Sequence, residues 1–103
     1  MMRLLPSNAD FDKYLSGASL WTFQALPDHL VRHFVFKDFV AAFGFMTSIA
    51  LLAEQLNHHP EWSNVYNKVS IKLSTHDVGG ISEKDFELAS RIDLTYLNFE
   101  NEK

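Results

Sequence analysis

Three of the chain's five histidines, His58, His59 and His76, fall at two places where regular structure should stop. Proton transfer near neutral pH needs a group that titrates there, and only an unperturbed histidine does so. Carboxylates lie close in sequence. The run reads Glu54, three residues, His58-His59-Pro60, five residues, Tyr66, nine residues, His76, eight residues, Asp85. Two kinds of chemistry suit such a set. One is acid–base catalysis by imidazoles gathered on loops of a rigid scaffold. The other is a metal centre, with the three histidines joined by Glu54, Asp77 or Asp85. The spacing disfavours the metal: neighbouring side chains on an extended backbone diverge, and neither an H-E-x-x-H nor an H-x-H pattern occurs. Plainer roles compete for each residue. A His-His pair is often a turn feature, Asp85 suits the third position of a helix as a capping acid, and Glu54 suits a solvated helix face. Trp21, Trp62 and Tyr66 suit packing, and His29 and His33 look like ordinary strand positions.

The elements that would position these residues follow from periodicity. Phe11, Tyr14 and Leu15 predict a short helix over residues 8–16, stopped by Gly17. Trp21, Phe23 and Ala25 alternate with polar residues and predict a strand over 20–26, and Pro27-Asp28 predicts a turn. Residues 29–37 continue as a strand with Phe34 and Phe36 on one face and His33 and Val35 on the other. Asp38 is a suitable N-cap for a long helix over 39–57. Its expected stripe is Phe39, Ala42, Phe43, Met46, Ile49, Ala50 and Ala53, with Phe45 and Leu52 partly outside it. Such breadth predicts two packing partners, the sheet and another subunit. Pro60 forces His59 toward extended backbone, so the helix must end before it. Residues 61–66 and 68–75 predict a hairpin turning near Tyr66-Asn67, with Val69, Ile71 and Leu73 on its buried face. After a loop at Val78-Gly79-Gly80, Ser82 caps a last helix whose face is Phe86, Ala89, Ile92 and Tyr96. The predicted order is α-β-β-α-β-β-α: an α+β fold with a four-stranded antiparallel sheet and three helices on one face.

Composition narrows the options. At 103 residues one domain, 1–103, is expected. The chain is 47% hydrophobic with nine Phe, a rich apolar supply for a small domain, so either the core is dense with aromatics or part of that surface is buried between subunits. The absence of Cys excludes disulfides and thiolate sites. A net charge of −4 argues against direct nucleic-acid binding. No secretory signal and no run of about 20 uncharged apolar residues is evident, so a soluble protein of the cytoplasm, with no membrane partner, is expected.

The signature from Glu54 to Asp85 resembles that of the pterin-4a-carbinolamine dehydratases. So do the words FKDFVAAFGFM at 36–46, HHPEW at 58–62 and NVYNKVSIKLSTHD at 64–77. The resemblance is strong from Phe34 to about Arg91 and weaker from Trp21. It implies a four-stranded antiparallel sheet with three helices, assembled as a homodimer or a homotetramer. It implies loss of water from 4a-hydroxytetrahydropterin to give quinonoid dihydropterin, recycling tetrahydrobiopterin without metal or organic cofactor. His58 and His76 are then the acid–base pair, with His59 in the same pocket. Glu54 and Asp85 would orient the imidazoles, and Asn57-His58-His59 and Ser74-Thr75-His76-Asp77 would bind the pterin. Trp21 aligns with a tryptophan near the family pocket. Asn57 departs from members that carry Asp there. The resemblance also implies a second use, as a protein-binding module: a dimerisation cofactor or transcriptional coactivator.

Overall fold

The computed structural model describes residues 20–100. Two strands come first, β1 (Thr22–Gln24) and β2 (His29–Val35). Helix α1 (Phe39–Leu56) follows, then the hairpin of β3 (Glu61–Val65) and β4 (Lys68–Leu73). A 3-10 turn (His76–Val78) leads to helix α2 (Glu83–Glu100). The strands form one antiparallel sheet in the order β1-β2-β4-β3. The two inner strands, β2 and β4, come from different hairpins, so the long pairing between them locks the halves of the chain together.

Strand alternation sorts the faces as expected. Leu30, Phe34, Val69, Ile71 and Leu73 are buried toward the helices, while His33 and Val35 are exposed on the other face. Phe36, just past β2, is buried as well. Its amide donates to the Asn67 carbonyl and its carbonyl accepts from the Asn67 side chain, pinning the β3–β4 turn to the start of α1. A charged group sits within this layer. Arg32 pairs with Asp93 of α2 at 2.6 Å, and its guanidinium lies over the rings of Phe34 and Tyr96. Aromatic faces and one carboxylate thus replace the water that a cation would otherwise lose.

Two expectations need correction. The described residues hold two α-helices, not three; the helix expected at 8–16 lies outside them. Width explains why two suffice. Four strands about 4.8 Å apart span roughly 15–20 Å, which two helices about 10 Å across cover side by side. Phe45 and Ile49 from α1 and Leu88, Ala89 and Ile92 from α2 are all fully buried there. The second correction concerns the inward face of α1. Asp38 does cap it, accepting from the Ala41 amide at 2.8 Å. The buried residues, however, are Ala42, Phe45, Ile49 and Ala53. Phe39, Phe43 and Ala50, expected in the buried stripe, are exposed. The helix is apolar almost all round, so periodicity alone could not say which side meets the sheet. With a mean hydropathy of 1.6 over 18 residues, α1 has the length and composition of a short membrane span, yet one side of it is built into the sheet's core.

Candidate active site

Three chain breaks meet at one end of the sheet. The first ends α1. Asn57 takes a left-handed conformation (φ 51°), and its amide donates to the carbonyls of Ala53 and Glu54. Asn tolerates this conformation at a helix C-terminus, and the cap throws the next residues off the helix axis. Pro60 then keeps His59 extended. The second break follows β4, where Thr75 pairs with Gly80 across a tight loop: its amide donates to the Gly80 carbonyl at 2.6 Å. Gly79 closes that loop at φ 69°, which glycine adopts without strain. His76 projects from the loop, exposed. The third is the start of α2, where Ser82 and Asp85 form a capping box: the Lys84 amide donates to Ser82 Oγ and the Ser82 amide to Asp85 Oδ2.

A cavity of about 290 Å³ lies between these breaks, lined by Asn57, His58, His59, Ser74, Thr75, His76, Asp77 and Lys84. Seven of these eight are the residues expected from the sequence. The two adjacent histidines diverge, as an extended backbone requires. His58 turns inward, its side chain 11% exposed, and its Nε2 lies 2.6 Å from Asp85 Oδ1. His59 turns outward and meets Glu54 Oε1 through Nε2 at 2.7 Å, in a pair that is mostly solvated. Asp85 is wholly buried and Oδ2 accepts from the Thr75 hydroxyl at 2.7 Å and the Ser82 amide at 2.9 Å. A buried carboxylate needs such donors in place of water.

Each histidine–carboxylate bond occupies Nε2 and leaves Nδ1 as the second nitrogen. Among the described residues, no hydrogen bond engages Nδ1 of His58. The ring therefore offers one nitrogen to a bound molecule while the other is held. Among the described residues, no group of three or more His, Asp or Glu side chains is placed to share a metal ion.

Some expected residues act elsewhere. Trp21 is buried in the core: its ring meets Phe34 edge-on and its N–H donates to Asp93 at 2.7 Å, so it does not line the cavity. Tyr66 stands exposed at the β3–β4 turn. Thr75 lines the cavity, but its hydroxyl serves Asp85, and its amide and carbonyl are engaged by Gly80. Lys84 was not foreseen. A cation in the first turn of a helix opposes the helix dipole, and that local misfit was the one available signal.

An α+β domain with imidazoles held by carboxylates around a small polar cavity is equipped for proton transfer to and from a compact ligand. Comparison places it more closely. Residues 5–95 match the model of the family described as pterin 4 alpha carbinolamine dehydratase. A Drosophila melanogaster pterin-4-alpha-carbinolamine dehydratase is 55% identical over 75 residues, which are 73% of this chain and 39% of that protein. A relative bearing the same dehydratase name from Solibacter usitatus is 51% identical over 87 residues, covering 84% of this chain and 90% of the relative. Among solved structures, a transcriptional coactivator/pterin dehydratase from Brucella melitensis superposes with a TM-score of 0.80 at 39% identity. That match covers 90% of this chain and 97% of the other. A pterin dehydratase-like protein described as a RuBisCO assembly factor in the alpha-carboxysome superposes with a TM-score of 0.65 at 25% identity, over 76% and 90% of the two chains. The chain belongs to the pterin-4a-carbinolamine dehydratase family.

Proposed function

We infer that this protein is a hydro-lyase that removes water from 4a-hydroxytetrahydropterin to give quinonoid dihydropterin, recycling tetrahydrobiopterin. The observation that carries the reading is His58, fixed through Nε2 by a buried carboxylate in the wall of a cavity that His59 and His76 also line. Hydroxide is a poor leaving group, so the C4a hydroxyl must be protonated as it departs while the N5 proton is removed and the C=N bond forms. Correctly placed imidazoles contribute about 10²–10⁴-fold to each such transfer. His58, with a bare Nδ1, is suited to take the N5 proton. His76 makes no side-chain hydrogen bond among the described residues and, when protonated, is suited to supply the leaving hydroxide with its proton. Asn57, Ser74 and Asp77 offer polar groups for the edge of the pterin ring.

The test follows ultraviolet absorbance after freshly generated 4a-hydroxytetrahydropterin is mixed with the protein. Wild-type should accelerate dehydration over buffer, and His58→Ala and His76→Ala should each lose about 10²-fold or more while staying folded. Wild-type rates in both variants would remove the two histidines from the mechanism. No acceleration by wild-type would remove the enzyme reading itself.

A second, compatible use concerns protein partners, of the kind that the names of the Brucella and carboxysome proteins describe. Phe39, Val40, Phe43 and Leu51 leave the outward side of α1 apolar and exposed. Association with further copies of this chain, as a dimer or a tetramer, accounts for that surface with the fewest additional parts. Phe43→Glu should reduce the assembly to a smaller species by sedimentation while leaving circular dichroism unchanged; an unchanged sedimentation coefficient would count against this face.

A further inference from the structure

Three buried polar residues, Thr75, Ser82 and Asp85, are hydrogen-bonded to one another behind His58, and the hydroxyls of Thr75 and Ser82 are engaged within this cluster. Thr75 Oγ1 and Ser82 Oγ lie 2.8 Å apart, and Thr75 Oγ1 is 2.7 Å from Asp85 Oδ2. The direction of every bond in this cluster can be worked out. A backbone amide only donates, so Ser82 Oγ accepts from the Lys84 N–H. Thr75 has one hydroxyl proton, and it goes to Asp85 Oδ2, which also receives the Ser82 N–H. The remaining contact is therefore Ser82 O–H donating to Thr75 Oγ1. Asp85 Oδ2 accepts twice, which is the pattern of a carboxylate, and Oδ1 is left to accept from His58 Nε2.

We propose that Thr75 and Ser82 are positioning residues: an ordered chain of hydroxyls running from the first turn of α2 to Asp85, which fixes His58 as the Nε2–H tautomer with its Nδ1 lone pair toward the cavity. Neither hydroxyl touches the ligand. Removing Thr75 Oγ1 deprives Oδ2 of its side-chain donor and leaves the Ser82 proton without an acceptor, in a place closed to water. The carboxylate can then rotate, and the imidazole it holds loses its fixed orientation. Partners of this indirect kind are worth about 10–100-fold at metal-bound histidines, and a similar loss is expected here. The consequence for turnover rests on the dehydratase reading; the hydrogen-bond chain does not.

Proton NMR with selectively labelled histidine tests the chain without any substrate. Wild-type should show a downfield, slowly exchanging His58 Nε2–H resonance, absent from Asp85→Ala. Thr75→Val, nearly isosteric, should broaden or move it, Ser82→Ala should do likewise, and Thr75→Ser should restore it. In the dehydration assay, Thr75→Val should lower kcat about tenfold or more with KM within about twofold, and Thr75→Ser should recover kcat. A wild-type resonance and wild-type kcat in Thr75→Val would overturn the proposal, as would the absence of the protected resonance from the unmodified protein. An intact resonance pattern in a protein that dehydrates no pterin would instead uphold the chain and sink the enzyme reading.

Discussion

Replacing Asp85 by Asn alters one atom of a buried residue and should invert the chemistry of the site. Asp85 is wholly buried and accepts three bonds: 2.7 Å from Thr75 and 2.9 Å from the Ser82 amide at Oδ2, and 2.6 Å from His58 at Oδ1. An Asn side chain has the same shape, but only its carbonyl oxygen accepts. With that oxygen in the place of Oδ2, the Thr75 and Ser82 bonds survive and the helix stays capped. The amide nitrogen then faces His58 Nε2, which must become an acceptor. The proton moves to Nδ1, and the ring presents a donor to the cavity where it had presented a lone pair. The opposite placement keeps the His58 bond but points an N–H₂ at two donors, which costs more. The charge-assisted bond to His58 is lost in exchange for a neutral one, so the fold should lose about 1.5–3 kcal/mol or less, read as a shift of the urea midpoint at unchanged m. Turnover should fall further than stability. The same Asp-to-Asn change behind the histidine of a serine protease costs about 10⁴ in kcat through the wrong tautomer, and about 10²–10⁴ is expected here. Stopped-flow absorbance at a substrate concentration above KM measures it. A folded Asp85→Asn protein with kcat within threefold of wild-type would refute the argument that His58 acts through a bare Nδ1.

Two further outcomes follow from the same geometry. Glu54→Gln should change kcat by less than about fivefold in the absorbance assay, because the pair with His59 is mostly solvated and exposed pairs are worth about 0–1 kcal/mol. A loss as large as that of Asp85→Asn would move His59 to the centre of the mechanism. Phe45→Ala should cost about 3–5 kcal/mol in urea unfolding, since Phe45 is fully buried against Phe34, Phe36 and Tyr96. Phe39→Ala, on the exposed side of α1, should cost far less in the unassociated chain; equal losses would mean that the helix packs in the register first expected from its sequence.

Strand alternation, the Asp38 cap and the stop before Pro60 were legible in the sequence because each rests on a local rule with one dominant signal. Val69, Ile71 and Leu73 could face only one way once Lys68, Ser70 and Lys72 faced the other. The orientation of α1 was not legible, because a helix with Phe39 and Phe43 on one side and Phe45 on another offers more than one apolar stripe, and only the sheet's shape selects between them. Trp21 was assigned by alignment with a pocket tryptophan, yet what holds it is Asp93, 72 residues away in sequence. No spacing rule reaches that far. That the residues around His58 and His76 line one cavity was foreshadowed by their places at element ends, which Asn57, Pro60 and Gly79 fix locally.

Asp85 shows why the plain and the functional readings of one residue need not compete. As a capping acid it should sit at the third position of α2 and accept from the Ser82 amide, and it does. A cap at an exposed helix end would satisfy one amide and leave its second oxygen to water. Here the helix start is buried, so that second oxygen needs a donor from the protein, and His58, thrown inward by the Asn57 turn, supplies it. The cap fixes the carboxylate's position, and the fixed carboxylate fixes the imidazole. The end of α1 and the start of α2 are therefore registered against each other through a single side chain. A change that lengthens either helix end by one residue, such as an insertion between Leu56 and His58, should abolish turnover even if the sheet and its core remain intact.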